Sequence, residues 1–173
     1  EGEGTIAAGR CSRAEGRNTK AIGNYSHAEG RETAAYYSAH SEGRGTLASG
    51  QMSHAEGQGT TASGMRAHAE GYKTVASGGN SHAEGCNTVA SSSDAHAEGA
   101  NTTASGTQSH AEGGETKASG PYSHAEGYAC AAIGAHSHAE GKNTVASGVA
   151  VHAEGKGTQA KSNYQHVQGK YNV

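Results

Sequence analysis

Small apolar and polar residues alternate along this chain in a unit that returns every 14 residues. In the segment His82-Ala83-Glu84 an alanine stands between two polar side chains, and in Thr88-Val89-Ala90-Ser91 the pair Thr88 and Ala90 shares one side while Val89 and Ser91 share the other. Alternation of period two marks a strand, and no helical 3.6-residue spacing competes with it. Turn formers separate the segments: Gly141-Lys142-Asn143 and Gly155-Lys156-Gly157 at one corner, Ser63-Gly64 at the other. Such residues tolerate positive φ. One glycine punctuates every unit, from Gly2, Gly16 and Gly30 through Gly43, Gly57 and onward to Gly169, in steps of 14 except for the 13 between Gly30 and Gly43.

Two strands and two turns per unit predict an all-β solenoid, a β-roll of 14-residue coils over residues 1–162, with one irregular coil at 30–43. Residues 163–173 form an atypical last coil leading toward a further C-terminal domain, and the mid-repeat start predicts a fragment of something longer. Stacked at about 4.8 Å per coil, the Gly-to-Gly units would make a rod of roughly 58 Å. Alternation places Ala28, Ala55 and Ala83 inside with the Thr column, and puts His27 with Glu29, His54 with Glu56 and His82 with Glu84 on an outer face. The residue after each Thr varies freely (Lys20, Leu47, Thr61, Val75, Val89, Lys117, Gln159), as expected of a mainly solvated column.

Composition changes the picture in one respect. With no Trp, no Phe and 28 Gly, the chain cannot bury enough large apolar surface to form an ordinary core, so a hydrogen-bonded repetitive architecture must order it. A thin roll with so little core is marginal alone, which predicts oligomerisation. The net charge of −3 implies no nucleic-acid footprint, and no segment approaches the roughly 20 apolar residues of a membrane span. Cys11, Cys86 and Cys130 occupy different places in their repeats and read as incidental.

The least variable polar positions are the pairs His27/Glu29, His54/Glu56, His68/Glu70, His82/Glu84, His96/Glu98, His110/Glu112, His124/Glu126, His138/Glu140 and His152/Glu154. Two readings fit: an inter-subunit ladder in which each level repeats the same hydrogen bonds, or tandem duplication that has not diverged. A column of imidazoles also offers metal ligands, but a ladder provides equivalent positions at every level and no closed set of three or four convergent donors, so no cofactor or metal is expected. The recurrence of His, Glu and Ser raises hydrolysis; repetition yields a dozen equal shallow surfaces rather than one distinctive pocket, and no enzyme activity is expected. Gly57-Gln58-Gly59 lacks the helix of a phosphate loop and reads as a turn.

Asn18-Thr19-Lys20-Ala21-Ile22-Gly23 and Ala129-Cys130-Ala131-Ala132-Ile133-Gly134 resemble the Asn-Ser-Val-Ala-Ile-Gly motif of the YadA-like head, the β-roll of trimeric autotransporter adhesins. The resemblance implies a left-handed parallel roll, a side-by-side homotrimer and an adhesive outer surface. Ser49, Ser63, Ser77 and Ser147 stand where that family has Ile, which implies a more polar subunit interface. The segment Tyr164-Gln165-His166-Val167-Gln168-Gly169-Lys170-Tyr171-Asn172 is similar to the lead-in of the peptidase G2 type of intramolecular chaperone found on phage tail spikes. Together these imply the shaft or head of a phage or prophage tail spike or surface adhesin, on a virion or extracellular surface, with itself and a host cell-surface receptor or glycan as partners.

An ice-binding or other structural solenoid filament is the alternative, because Thr60, Thr74, Thr88, Thr102, Thr116, Thr144 and Thr158 form a column. The short coil places Tyr36 and Tyr37 where Ser and Gly normally sit, which predicts a local bulge or bend and either a receptor contact patch or a repaired deletion. Tyr25, Tyr72, Tyr122 and Tyr128 are expected at turns.

Overall fold

In a computed structural model describing residues 1–172, the chain is an all-β, parallel β-solenoid of about 12 coils. It comprises two compact units, Glu1–Asn87 and Thr88–Val173, and the final residue of the predicted 163–173 segment lies outside the described residues. In the first unit the five-residue strands Arg13–Arg17, His27–Arg31, His40–Arg44, His54–Gln58, His68–Tyr72 and His82–Cys86 stack in parallel. The two-residue strands Lys20–Ala21, Ala34–Ala35, Leu47–Ala48, Thr61–Ala62 and Val75–Ala76 stack likewise. The register is residue on like residue: His54, Ala55, Glu56 and Gly57 face His68, Ala69, Glu70 and Gly71.

The second unit repeats the plan with His124–Tyr128, His138–Lys142 and His152–Lys156 in one stack and Val145–Ala146 on Gln159–Ala160 in the other. Stacking continues past residue 162, with His166 and Val167 on His152 and Ala153 and a bridge from Lys156 to Lys170.

The two stacks of each coil close on a core of small side chains. Ala55, Ala62, Ala69, Ala76, Ala139 and Ala146 are completely buried, as are Thr60, Thr74, Thr144 and Thr158. Parallel pairing satisfies the buried backbone, so close packing of small groups and an uninterrupted hydrogen-bond ladder replace bulk apolar burial. Cys130 fills the place of Thr in this interior column, so it is a core residue rather than an incidental one. From Thr19 to Thr158 the Thr column is internal, so these threonines face the core rather than a surface. The column after it is half-buried at Leu47, Thr61, Val75 and Val145 and exposed at Lys20 and Lys117, less solvated than variation alone predicts.

A further interior column escaped the sequence reading. Ser26, Ser53, Ser81, Ser109, Ser123 and Ser137 are buried immediately before their histidines. Each hydroxyl donates to the carbonyl three residues earlier at 2.6–2.7 Å, as Ser53 Oγ does to Gly50 O. This tightens the turn into the long strand, the short-range side-chain-to-backbone bond that serine favours.

The turns differ from expectation in a second way. Gly64 of the Ser-Gly pair does not use positive φ; a Cβ there would lie 1.9 Å from the Gly78 carbonyl oxygen, so close stacking excludes a side chain. Positive φ falls two residues later, on Tyr25, Met52, Arg66, Tyr122 and His136. Tyr72 and Tyr128 end strands rather than occupying turns.

The irregular coil contains no strand bulge. His27, Ala28, Glu29 and Gly30 pair in register with His40, Ser41, Glu42 and Gly43, and Ala34 pairs with Leu47. The missing residue comes out of the turn, where Ala39 N donates to Tyr36 O at 2.7 Å as Ser53 N does to Gly50 O at 3.2 Å. Tyr36 alone replaces the Ser-Gly pair, and Tyr37 occupies the next turn position, 65% exposed. Ser41, standing where other coils have Ala, is fully buried and bonds to Thr46 Oγ1 at 2.7 Å.

Candidate functional site

The most regular side-chain arrangement lies on the outer side of the long strands. Because Ala points inward and the register is exact to the residue, each His and Glu is carried onto its copy one coil later. In the first unit the imidazoles of His27, His40, His54, His68 and His82 stack with ring centroids 4.8 Å apart. In the second, His96, His110, His124, His138, His152 and His166 stack at 4.6–4.8 Å and within 8° of parallel. His40, Glu42 and His166 belong to these rows but were not singled out from the sequence, because Ser41 and Val167 interrupt the His-Ala-Glu string. The usable signal was the residue directly preceding the column glycine, Glu42 before Gly43 and Gln168 before Gly169, with a histidine two residues earlier.

The glycine after each glutamate makes this face accessible. Gly57, Gly71, Gly127 and Gly141 have φ near +100°, and a Cβ on any of them would meet the next coil's carbonyl oxygen at 2.2 Å. Only glycine relieves both constraints. The bare column floors a shallow groove walled by Glu126, Glu140 and Glu154 in the second unit, and by Glu15, Glu29 and Glu42 in the first.

The carboxylates serve the imidazoles differently in the two units. His54 Nε2 lies 3.4 Å from Glu56 in its own coil, and His27, His40, His68 and His82 pair the same way at 3.5–3.7 Å. In the second unit His110, His124, His138 and His152 are approached at 3.3–3.6 Å by the glutamate of the preceding coil. Glu140 reaches both His138 and His152, at 3.8 and 3.5 Å.

Titration follows from this stacking. Burial, then the charges of neighbouring imidazoles, pulls His54, His110 and His138 below the ordinary histidine value. Hydrogen bonding with Glu140 and Glu112, reinforced by burial, raises Glu126 to about 7, while Glu112 and Glu140, bonded to flanking carboxyls, are lowered. One protonated carboxyl between two carboxylates is the economical state of a row of acids at this spacing.

His40/Glu42/His54, His54/Glu56/His68 and His68/Glu70/His82 each bring three ligand atoms within 4.8 Å of one another. Stacked parallel rings aim their nitrogens side by side, whereas two imidazoles on one ion at bonds of about 2.1 Å must converge to within about 4.2 Å. A metal would therefore require the rows to pinch. Tyr36 is half-buried and Tyr37 exposed; the rows of His and Glu do not include them.

The family model described as the YadA head domain repeat matches residues 41–67, 69–91, 97–115 and 131–149, just over half of the chain. The chain belongs to the YadA head domain repeat family. No curated protein matches it. As a YadA head repeat it carries the family's association with adhesin-type attachment at an exposed surface. The matched segments include His54, His82, His110 and His138 together with Glu42, Glu56, Glu70, Glu84, Glu98, Glu112 and Glu140, so part of each row lies within the matched head repeats.

Proposed function

We propose that this chain is an attachment-fibre segment that works as a side-by-side homotrimer and binds a cell surface multivalently. The family match carries the reading, supported by a core with no side chain larger than threonine among its fully buried residues. So slim a core gains from burial against other copies. The His and Glu rows are the proposed inter-subunit ladder: they are half-exposed in the single chain and recur in nearly every coil, so one contact can be repeated along the length of the interface. Three equal faces held together raise effective concentration at a surface without any single strong contact.

Within this reading the roll is left-handed, as in the adhesins the sequence resembles, and the chain is the shaft or head of a phage or prophage tail spike. The likeness of residues 164–172 to a chaperone lead-in supports the tail-spike origin. Tyr36 and Tyr37 are the proposed receptor contact, since the shortened turn projects Tyr37 into solvent. No catalytic step is assigned, because successive coils repeat one shallow geometry.

Light scattering tests the assembly. The expected mass is three times the 17.3 kDa of the chain; a stable monomer removes the interface. Retention of the labelled protein on bacterial or eukaryotic cells, lost on dissociation of the trimer, tests attachment.

A further inference from the structure

One column on the turn side of the second unit breaks its own pattern. Tyr122, His136, Ala150 and Tyr164 occupy equivalent places in four successive coils, each with φ between +52° and +59°. Their amides tie them into one register: His136 N donates to Pro121 O, Ala150 N to Ala135 O and Tyr164 N to Val149 O, each at 2.9 Å. Where two rings follow one another, at Tyr122 and His136, they stack with centroids 4.9 Å apart and 2° from parallel. At the next level the ring is missing. Ala150 leaves a gap between His136 below and Tyr164 above, two coil spacings or about 10 Å from ring to ring.

The gap is a groove with a defined lining: walls of His136 and Tyr164, a floor of Ala150 and Val151, the Gln165 side chain along one side, and beyond it the edge of the histidine row at His138, His152 and His166. The turn bearing Tyr164 is fixed, since Asn163 Oδ1 accepts from Val149 N at 2.9 Å and Gln165 Oε1 accepts from Lys161 N and Ser162 N at 2.9 and 3.1 Å. Tyr164 itself is 82% exposed, a large ring held in water beside an open slot.

We propose that the slot between His136 and Tyr164 over Ala150 binds one pyranose ring of a surface glycan. A pyranose has two C–H faces and a rim of hydroxyls. The slot has two aromatic faces one missing ring apart and, as its polar flank, the Gln165 amide, so faces meet rings while hydroxyls meet the Gln165 side-chain N–H. A planar aromatic side chain would satisfy the walls and leave the polar flank unused. The proposal deepens the attachment reading, which supplies the surface from which the sugar comes.

Saturation-transfer NMR on the whole chain tests it, with methyl β-D-galactopyranoside, methyl α-D-glucopyranoside and N-acetylglucosamine as probes and N-acetyltyrosinamide as the competing class. Wild type is expected to transfer saturation to the ring C–H protons of at least one sugar. Ala150→Tyr, which completes the ring stack at a backbone position already occupied by tyrosine at 122 and 164, should abolish the signal without loss of thermal stability. Tyr164→Ala should lower it at least fivefold. Absence of transfer to all three sugars, an unchanged signal in Ala150→Tyr, or transfer to N-acetyltyrosinamide alone overturns the proposal. Cell binding by a chain whose sugar signal ignores Ala150→Tyr would sink the slot and leave attachment standing. A sugar signal lost in Ala150→Tyr, from a chain that binds no cells, would do the reverse.

Discussion

The two units of the solenoid carry the same His-Ala-Glu string and use it differently. In Glu1–Asn87 His54 and its neighbours have the carboxylate of their own coil, as His54 has Glu56, whereas in Thr88–Val173 the nearer carboxylate of His138 and His152 comes from the preceding coil, at 3.3 and 3.5 Å, with their own at 3.8 and 4.0 Å. Both units share the backbone register, the buried Ala and Thr columns and the positive-φ glycines. The backbone is therefore fixed by hydrogen bonds and contact, while a half-exposed glutamate, with three rotatable bonds, chooses between two imidazoles at nearly equal distance. Exposed pairs of this kind contribute little each, about 0–1 kcal/mol, so neither choice dominates the fold.

The comparison breaks first at the backbone. Gly71→Ala in the first unit and Gly141→Ala in the second would each place a Cβ 2.2 Å from a carbonyl oxygen at φ near +102°. Both are expected to lose about 3 kcal/mol or more, equally, as read by denaturant unfolding of each variant. A markedly smaller loss in one unit would show that its register is less constrained than the other's.

Titration sharpens it next. Glu126, raised to about 7 from the ordinary 4.5, contributes stability that is complete below its unfolded value and lost as pH rises through about 7. His110 and His138 run the opposite way: their lowered values contribute stability present above the ordinary 6.5 and lost as pH falls through the folded values. Glu126→Gln should therefore remove the fall in melting temperature between pH 4.5 and 7 that Glu126 supplies. An unchanged profile between wild type and variant would mean that the carboxyls do not share a proton.

Pairing follows with a smaller effect. Glu140→Gln withdraws a carboxylate from both His138 and His152, and Glu56→Gln withdraws one from His54. The first is expected to perturb the ring-nitrogen NMR signals of two imidazoles and the second those of one, each with under about 1 kcal/mol of stability. Equal shifts in number would erase the distinction between the units.

The smallest expected effect is in the short turn. Inserting glycine after Tyr36 restores a 14-residue coil around strands whose register is already correct, so stability should move by no more than about 0.5 kcal/mol. Loss of the His27 to His40 stacking in NMR contacts would show that the shortened turn sets the register.

How much of this was legible follows from where constraint is local. Residue-by-residue repetition placed Ala83 and Thr88 inside and His82 and Glu84 outside, because alternation and a fixed period leave no other arrangement of small and polar groups. The Ser53-to-Gly50 bond was legible in principle from Ser preceding His after a Gly-led turn, but its geometry depends on the turn closing. The absence of a bulge at 30–43 was not legible, because a chain reads the same whether a deletion is absorbed in a strand or in a turn; pairing on both sides forces it into the turn.

The sequence by itself determined the coil, its period and its two faces, since these follow from φ-permissive glycines and side-chain size repeated in register. Only the tertiary structure decided which carboxylate serves which imidazole, which acid keeps its proton, and that Ala150 opens a gap between two rings. Those outcomes depend on distances between side chains in different coils, and identical strings of residues carry no record of them.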